Sequence, residues 1–150
     1  MKKDVTLYNV LFPLWMLLMF PVMWLIVLPG NFIIDSIVLI ISMLIMKMPE
    51  KKEFYKKNIL KIYGFGLLAD VVGSVYMLII MIGFELGRMG DEWYLTVPAL
   101  LIASVLIFVF NYFITFKKCE QKIRFKLALV FAVITAPYTF LVPSGWLYGY

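Results

Sequence analysis

Two acidic side chains, Asp35 and Asp70, fall inside long apolar stretches that contain no lysine, arginine or histidine. An ionised carboxylate in hydrocarbon costs about 2.5–3.5 kcal/mol even on the mildest scale. Desolvation favours the neutral acid, so a carboxyl group in that setting holds a proton, holds a cation or reaches water. Asp70 sits within GFGLLADVVGS, residues 64–74, near the middle of its apolar run. It is the first candidate for proton or cation binding. In the competing reading a protonated Asp70 bonds Asn111, Ser104 or a carbonyl freed by proline, and only joins helices. Such bonds average about 0.6 kcal/mol in membrane bundles. Asp35 lies about one helical turn beyond an expected chain reversal, so it reads first as a group satisfying the amino end of its own helix. A ligand role comes second.

Other polar residues recur on the same helical faces. Asn31, Asp35 and Ser42 form one stripe, and Gly66, Asp70, Gly73 and Met77, with Ser74 adjacent, form another. Ser104, Phe108, Asn111 and Thr115 share a third face, and Ala128, Ala132, Thr135, Ala136 and Thr139 a fourth. The polar-network candidates are therefore Asp70, Asp35, Asn111, Ser74, Ser42, Asn31 and Thr135. Gly66, Gly73, Ala132 and Ala136 are small enough for close helix approach. Counted by depth from the outer side, the order is Asp35, Thr135, Asp70, Asn111. That order suits a polar path across a bilayer and equally suits one hydrogen-bonded network per layer.

Several chemistries are excluded. With no histidine and only one cysteine, Cys119, the chain has no Cys/His metal cluster, no intrachain disulfide and no Ser-His-Asp triad. GFGLLADVVG resembles a glycine-rich phosphate loop only superficially, because it follows no strand. The methionines and tryptophans read as packing or interfacial residues, and no cofactor is expected. Cys119, beside Lys117 and Lys118, reads as a bystander ahead of a reactive or acylated thiol.

Composition supplies the elements that position these residues. Of 150 residues, 64% are hydrophobic and 15% charged; soluble domains carry about 25% charged residues. There is too little polar surface to cover the apolar mass, so the reading is an all-α integral membrane protein, one polytopic domain over 1–150. Five spans are expected, at about 5–28, 31–48, 59–84, 95–116 and 125–142. Leu28-Pro29-Gly30-Asn31 reads as a tight turn with Asn31 capping the second helix. The basic run 47–61 reads as a short interfacial helix anchored by Phe54 and Tyr55. Pro137 is expected to interrupt the last span and free the carbonyl of Val133.

Thirteen of the fourteen Lys/Arg residues lie at the N-terminus, in 47–61 or in 117–126; the exception is Arg88. The positive-inside rule then puts the N-terminus in the cytoplasm and the C-terminus outside. Anionic headgroups, and no nucleic acid, are the partners of this charge. The composition fits a bacterial cytoplasmic membrane. Two functions remain: an accessory or interaction subunit docking a membrane partner or a second copy, and an oligomeric proton- or cation-coupled permease using Asp70. An intramembrane enzyme comes last, because Glu85, Arg88, Asp91 and Glu92 offer only a thin headgroup-level site.

Overall fold

A computed structural model describes residues 21–83 and 93–141. Four helices account for most of them: α1 (Pro21–Ile45), α2 (Lys51–Gly83), α3 (Trp93–Phe110) and α4 (Gln121–Ile134). A π-helical turn, Asn111–Thr115, extends α3, and a 3₁₀ turn, Tyr138–Leu141, follows α4. The stretches Trp24–Ile45, Lys51–Ile80 and Tyr94–Thr115 are each long and apolar enough to cross a membrane.

The expected turn at 28–31 is absent. α1 runs unbroken through Pro29 and Gly30, and Asn31 is an interior residue instead of a cap. A proline inside a helix forfeits one backbone bond, to the carbonyl of Leu25 here. A chain reversal in hydrocarbon would strand several such groups, so the loosened helix is the cheaper solution. The first expected span is thereby divided: 21–28 belongs to α1, and 5–20 lies outside the described residues, as do 84–92 and 142–150.

α1 ends in a Schellman motif. Met48 N–H bonds the Met43 carbonyl and Lys47 N–H the Leu44 carbonyl, with Lys47 in the left-handed region at φ 49°. Glu50, also left-handed at φ 51°, then accepts the Phe54 N–H and opens α2. The lysine-rich segment expected to lie along the interface is continuous with the third span. α2 has 33 residues, about 50 Å at 1.5 Å per residue, against a hydrocarbon core of about 30 Å. Its lysine-bearing first turns therefore have length to spare beyond the apolar layer.

The helices form a ring, α1 against α2, α2 against α3, α3 against α4, with α4 closing on α1. Phe54 at the start of α2 stacks on Phe116 after α3, ring centroids 6.1 Å apart. Both basic connections thus lie at one end of the bundle. There the core is built from Leu39, Met43, Ile62, Ile107, Leu127 and Phe131 among others. A smaller cluster of Met77, Leu95, Ala99 and Phe140 fills the opposite end. Phe140 presses on Gly73 so closely that a Cβ there would come within 2.7 Å of its ring. Large apolar side chains such as Leu25, Ile37, Leu101 and Val133 face outward, as a lipid-facing surface requires.

α4 starts at Gln121, earlier than expected, and stops at Ile134 before Pro137. The proline ends the helix instead of kinking a longer one. The Val133 carbonyl is taken by the Tyr138 hydroxyl.

Candidate functional site

α1 and α2 run antiparallel, and each brings two residues spaced by four to their common face: Asn31 and Asp35 from α1, Gly66 and Asp70 from α2. Asn31 Nδ2 donates to Asp70 Oδ2 at 3.3 Å. Asp35 Oδ2 lies 3.6 Å from where a Cβ on residue 66 would stand, an ordinary contact distance, so position 66 faces that carboxylate directly. Asp35 and Asp70 thus face the same α1–α2 seam, one from each helix. Asp35 is 5% exposed, and Asp70 Oδ1 is buried without a hydrogen-bond partner.

Continuity of α1 changes the depth assigned to Asp35. It is no cap. In the stretch Trp24–Ile45 it sits about 16 Å from one end and about 15 Å from the other, at 1.5 Å per residue. Asp70 lies about 15 Å from Ile80 by the same measure. Asp35 stands opposite Gly66 and Asp70 opposite Asn31, so the two carboxylates lie about 6 Å, one helical turn, apart along the α1–α2 seam, with Asp70 the farther from the basic end. The expected outside-to-inside order from Asp35 to Asp70 does not hold. The sequence has no Lys or Arg between Lys3 and Lys47 or between Lys61 and Arg88, and Lys61, the nearest basic residue on α2, is exposed.

The remaining candidates are elsewhere. Ser74 Oγ donates to the Asp70 backbone carbonyl at 2.9 Å and not to its carboxylate. Ser42 is buried two turns from Asp35 toward the basic end. Thr135 bonds back to the Phe131 carbonyl at 2.8 Å, at the end of α4. Gly73, Ala132 and Ala136 are buried in packing contacts within the chain. The segment carrying Glu85, Arg88, Asp91 and Glu92 lies outside the described residues.

Asn111 makes a second, separate polar site instead of serving Asp70. In the π turn, Phe116 N–H reaches the Asn111 carbonyl at 2.8 Å, which leaves the Tyr112 carbonyl without its usual helical donor. Arg124 Nε fills that vacancy at 2.6 Å, and its guanidinium lies 4.0 Å from the Tyr112 ring centroid. The same distortion turns Asn111 fully inward, and neither its amide nitrogen nor its oxygen finds a partner. Thr115 Oγ1 is likewise buried and unpartnered. π turns are frequent at functional sites; this one carries no net charge of its own.

Sequence reasoning missed the Asn31–Asp70 contact because it placed a turn at Pro29. The signal was present in the four-residue spacings 31/35 and 66/70 on two apolar helices. The π turn and its Arg124 clasp leave no comparable pattern. Among the described residues no three His, Cys, Asp or Glu side chains converge as a metal cluster. Burial pushes the Cys119 thiol above its ordinary range, with Arg124 pulling the other way, so the environment does not favour a thiolate.

Comparison with known protein families, with characterised proteins and with solved structures finds no match. The described residues are thus defined by their own geometry: they are all-helical, with three helices long and apolar enough to cross a membrane and a carboxylate from each of two of them on a shared seam.

Proposed function

We propose that this is a small polytopic protein of the cytoplasmic membrane in which Asp35 and Asp70 together take up and release a proton or monovalent cation, coupling it to movement of a small solute. The observation that carries this reading is the placing of two carboxylates on one buried helix seam, about one turn apart, with an amide between the helices and no basic group on the seam. Two negative charges so placed repel strongly in a low dielectric, and bringing in one positive charge relieves both the repulsion and part of the burial cost. The Asn31 amide can donate to an ionised carboxylate or offer its oxygen to a cation. A site whose charge balance depends on an exchangeable ion is a coupling site. Four helices enclose little volume, so a pathway shared between copies in an oligomer suits the chain's size.

The topology we propose keeps five crossings, with α1 to α4 as the last four and the apolar stretch 5–20 as the first. Both basic connections then face the cytoplasm with Lys2 and Lys3, and Arg88 faces outward. Fusion reporters at residues 49 and 119 should report the same compartment, and one at residue 88 the other.

The functional test uses protein reconstituted in liposomes with an internal pH dye, or with ²²Na⁺ outside, under an imposed gradient. Gradient-driven proton or sodium flux is expected in the wild type and lost in Asp70→Asn and Asp35→Asn. Flux that survives both changes, or no flux from a folded wild type, rejects the coupling role.

A second reading, an accessory subunit, draws on one feature. A groove of about 410 Å³ between α3 and α4, lined by Leu101, Ser104, Val105, Leu129 and Val133, opens outward and suits a partner's transmembrane helix. A stoichiometric partner copurifying through that groove, and lost on Ser104→Phe, would favour this reading over the first.

A further inference from the structure

At the basic end, α1 and α2 diverge around a groove of about 320 Å³. Ile40, Met43 and Leu44 of α1 line its apolar floor, and Tyr55 of α2 forms a wall. The Tyr55 hydroxyl and Ser36 Oγ share a hydrogen bond of 2.8 Å across the two helices, which fixes the ring in place. Lys51, Lys52 and Lys56 complete the lining. All three are exposed, and among the described residues none is engaged by an ion pair. Glu50 and Glu53 lie on the same stretch but do not line the groove. Ile40 and Leu44 are 45% and 54% exposed, so the floor opens sideways toward the lipid.

We propose that this groove binds one anionic phospholipid, its acyl chain along Ile40, Met43 and Leu44 and its phosphate among Lys51, Lys52 and Lys56. Charge complementarity selects the occupant. The wall has three ammonium groups and no carboxylate, and the floor offers only apolar atoms. A soluble anion would leave that floor unused, and a zwitterionic lipid would bring its own cation against three lysines. The volume falls in the range of small-molecule sites, and a basic pocket between helices is a recognised setting for anionic headgroups. The site is separate from the carboxylate pair and does not rest on it.

Native mass spectrometry of the full chain, released from micelles doped with equal phosphatidylglycerol and phosphatidylcholine, tests the assignment. A single retained adduct is expected, favouring phosphatidylglycerol by about tenfold or more. Lys51→Gln/Lys52→Gln/Lys56→Gln should abolish that preference, and Ile40→Trp, which fills the groove while keeping the charges, should remove the adduct. Lys117→Gln/Lys118→Gln/Lys122→Gln at the other basic connection should leave both unchanged. Equal retention of the two lipids overturns the proposal, as does loss of preference in the Lys117 set, which would indicate diffuse surface charge. Displacement by glycerol phosphate lacking acyl chains also overturns it, since a phosphate site would then suffice.

Discussion

Among the described residues, buried side-chain polar atoms without a hydrogen-bond partner fall in two places, and they are answered in different ways. Between α1 and α2 the groups are two carboxylates and an amide, set on continuous α-helices by spacings of four. At the end of α3 they are the neutral amide of Asn111 and the hydroxyl of Thr115, turned inward by a π turn whose spare carbonyl is held by Arg124. A neutral group left without a partner costs roughly 1–3 kcal/mol, and a water can relieve it. A charged pair cannot be settled that way at mid-depth. In the proposed reading it takes up a proton or a cation that the chain does not contain, which would separate a site that exchanges an ion from one that only bears strain.

Charging the neutral site probes the difference most severely. Asn111→Asp places a carboxylate in a fully buried position with no partner, and should cost about 3 kcal/mol of stability in micelles, read by denaturant unfolding. A loss below about 1 kcal/mol would mean that the π turn accommodates charge as readily as the α1–α2 layer does. Space around the carboxylates comes next. Gly66→Leu should crowd Asp35 and cost about 2 kcal/mol, whereas Gly66→Ala, with 3.6 Å of room, should stay within about 0.5 kcal/mol of wild type.

The same replacement at the two amides should give opposite signs. Asn111→Leu removes unsatisfied groups and should be neutral or stabilise by up to about 1 kcal/mol, while Asn31→Leu strips the donor from Asp70 and should destabilise by about 1 kcal/mol. Matching signs would erase the distinction. The smallest effect concerns Cys119. With its thiol pushed up by burial, alkylation at neutral pH should be slower than for a free thiol, and Arg124→Ala, removing the favourable charge, should slow it further.

The membrane class was legible in the sequence because apolar runs and clustered lysines are set by solvation and need no tertiary knowledge. Asp35 and Asp70 stood out for the same reason. Pro29-Gly30-Asn31 was misread, because turn propensities learned in water were applied to a segment that has no water to satisfy a broken helix. That one misplacement made Asp35 a cap, made Asn31 its neighbour at a turn and hid the α1–α2 pairing. The long start of α2 was also misread, because Lys51–Lys61 scans as surface while its backbone continues the helix. Nothing local in NYFIT distinguishes a π turn from an α turn, and the Arg124 side chain that meets the freed Tyr112 carbonyl comes from α4, distant in sequence.

The central claim is that the Asp35–Asp70 pair is neutralised by an exchangeable ion. Infrared difference spectroscopy of the protein in lipid nanodiscs at neutral pH, in choline buffer and then in sodium buffer, reads the carboxyl groups directly. A protonated carboxyl band in choline that is absent from both Asp70→Asn and Asp35→Asn, and that persists or gives way to a cation-bound carboxylate in sodium, is the predicted result. Two ionised carboxylates in choline, with no protonated carboxyl band for either substitution to remove, would contradict the account.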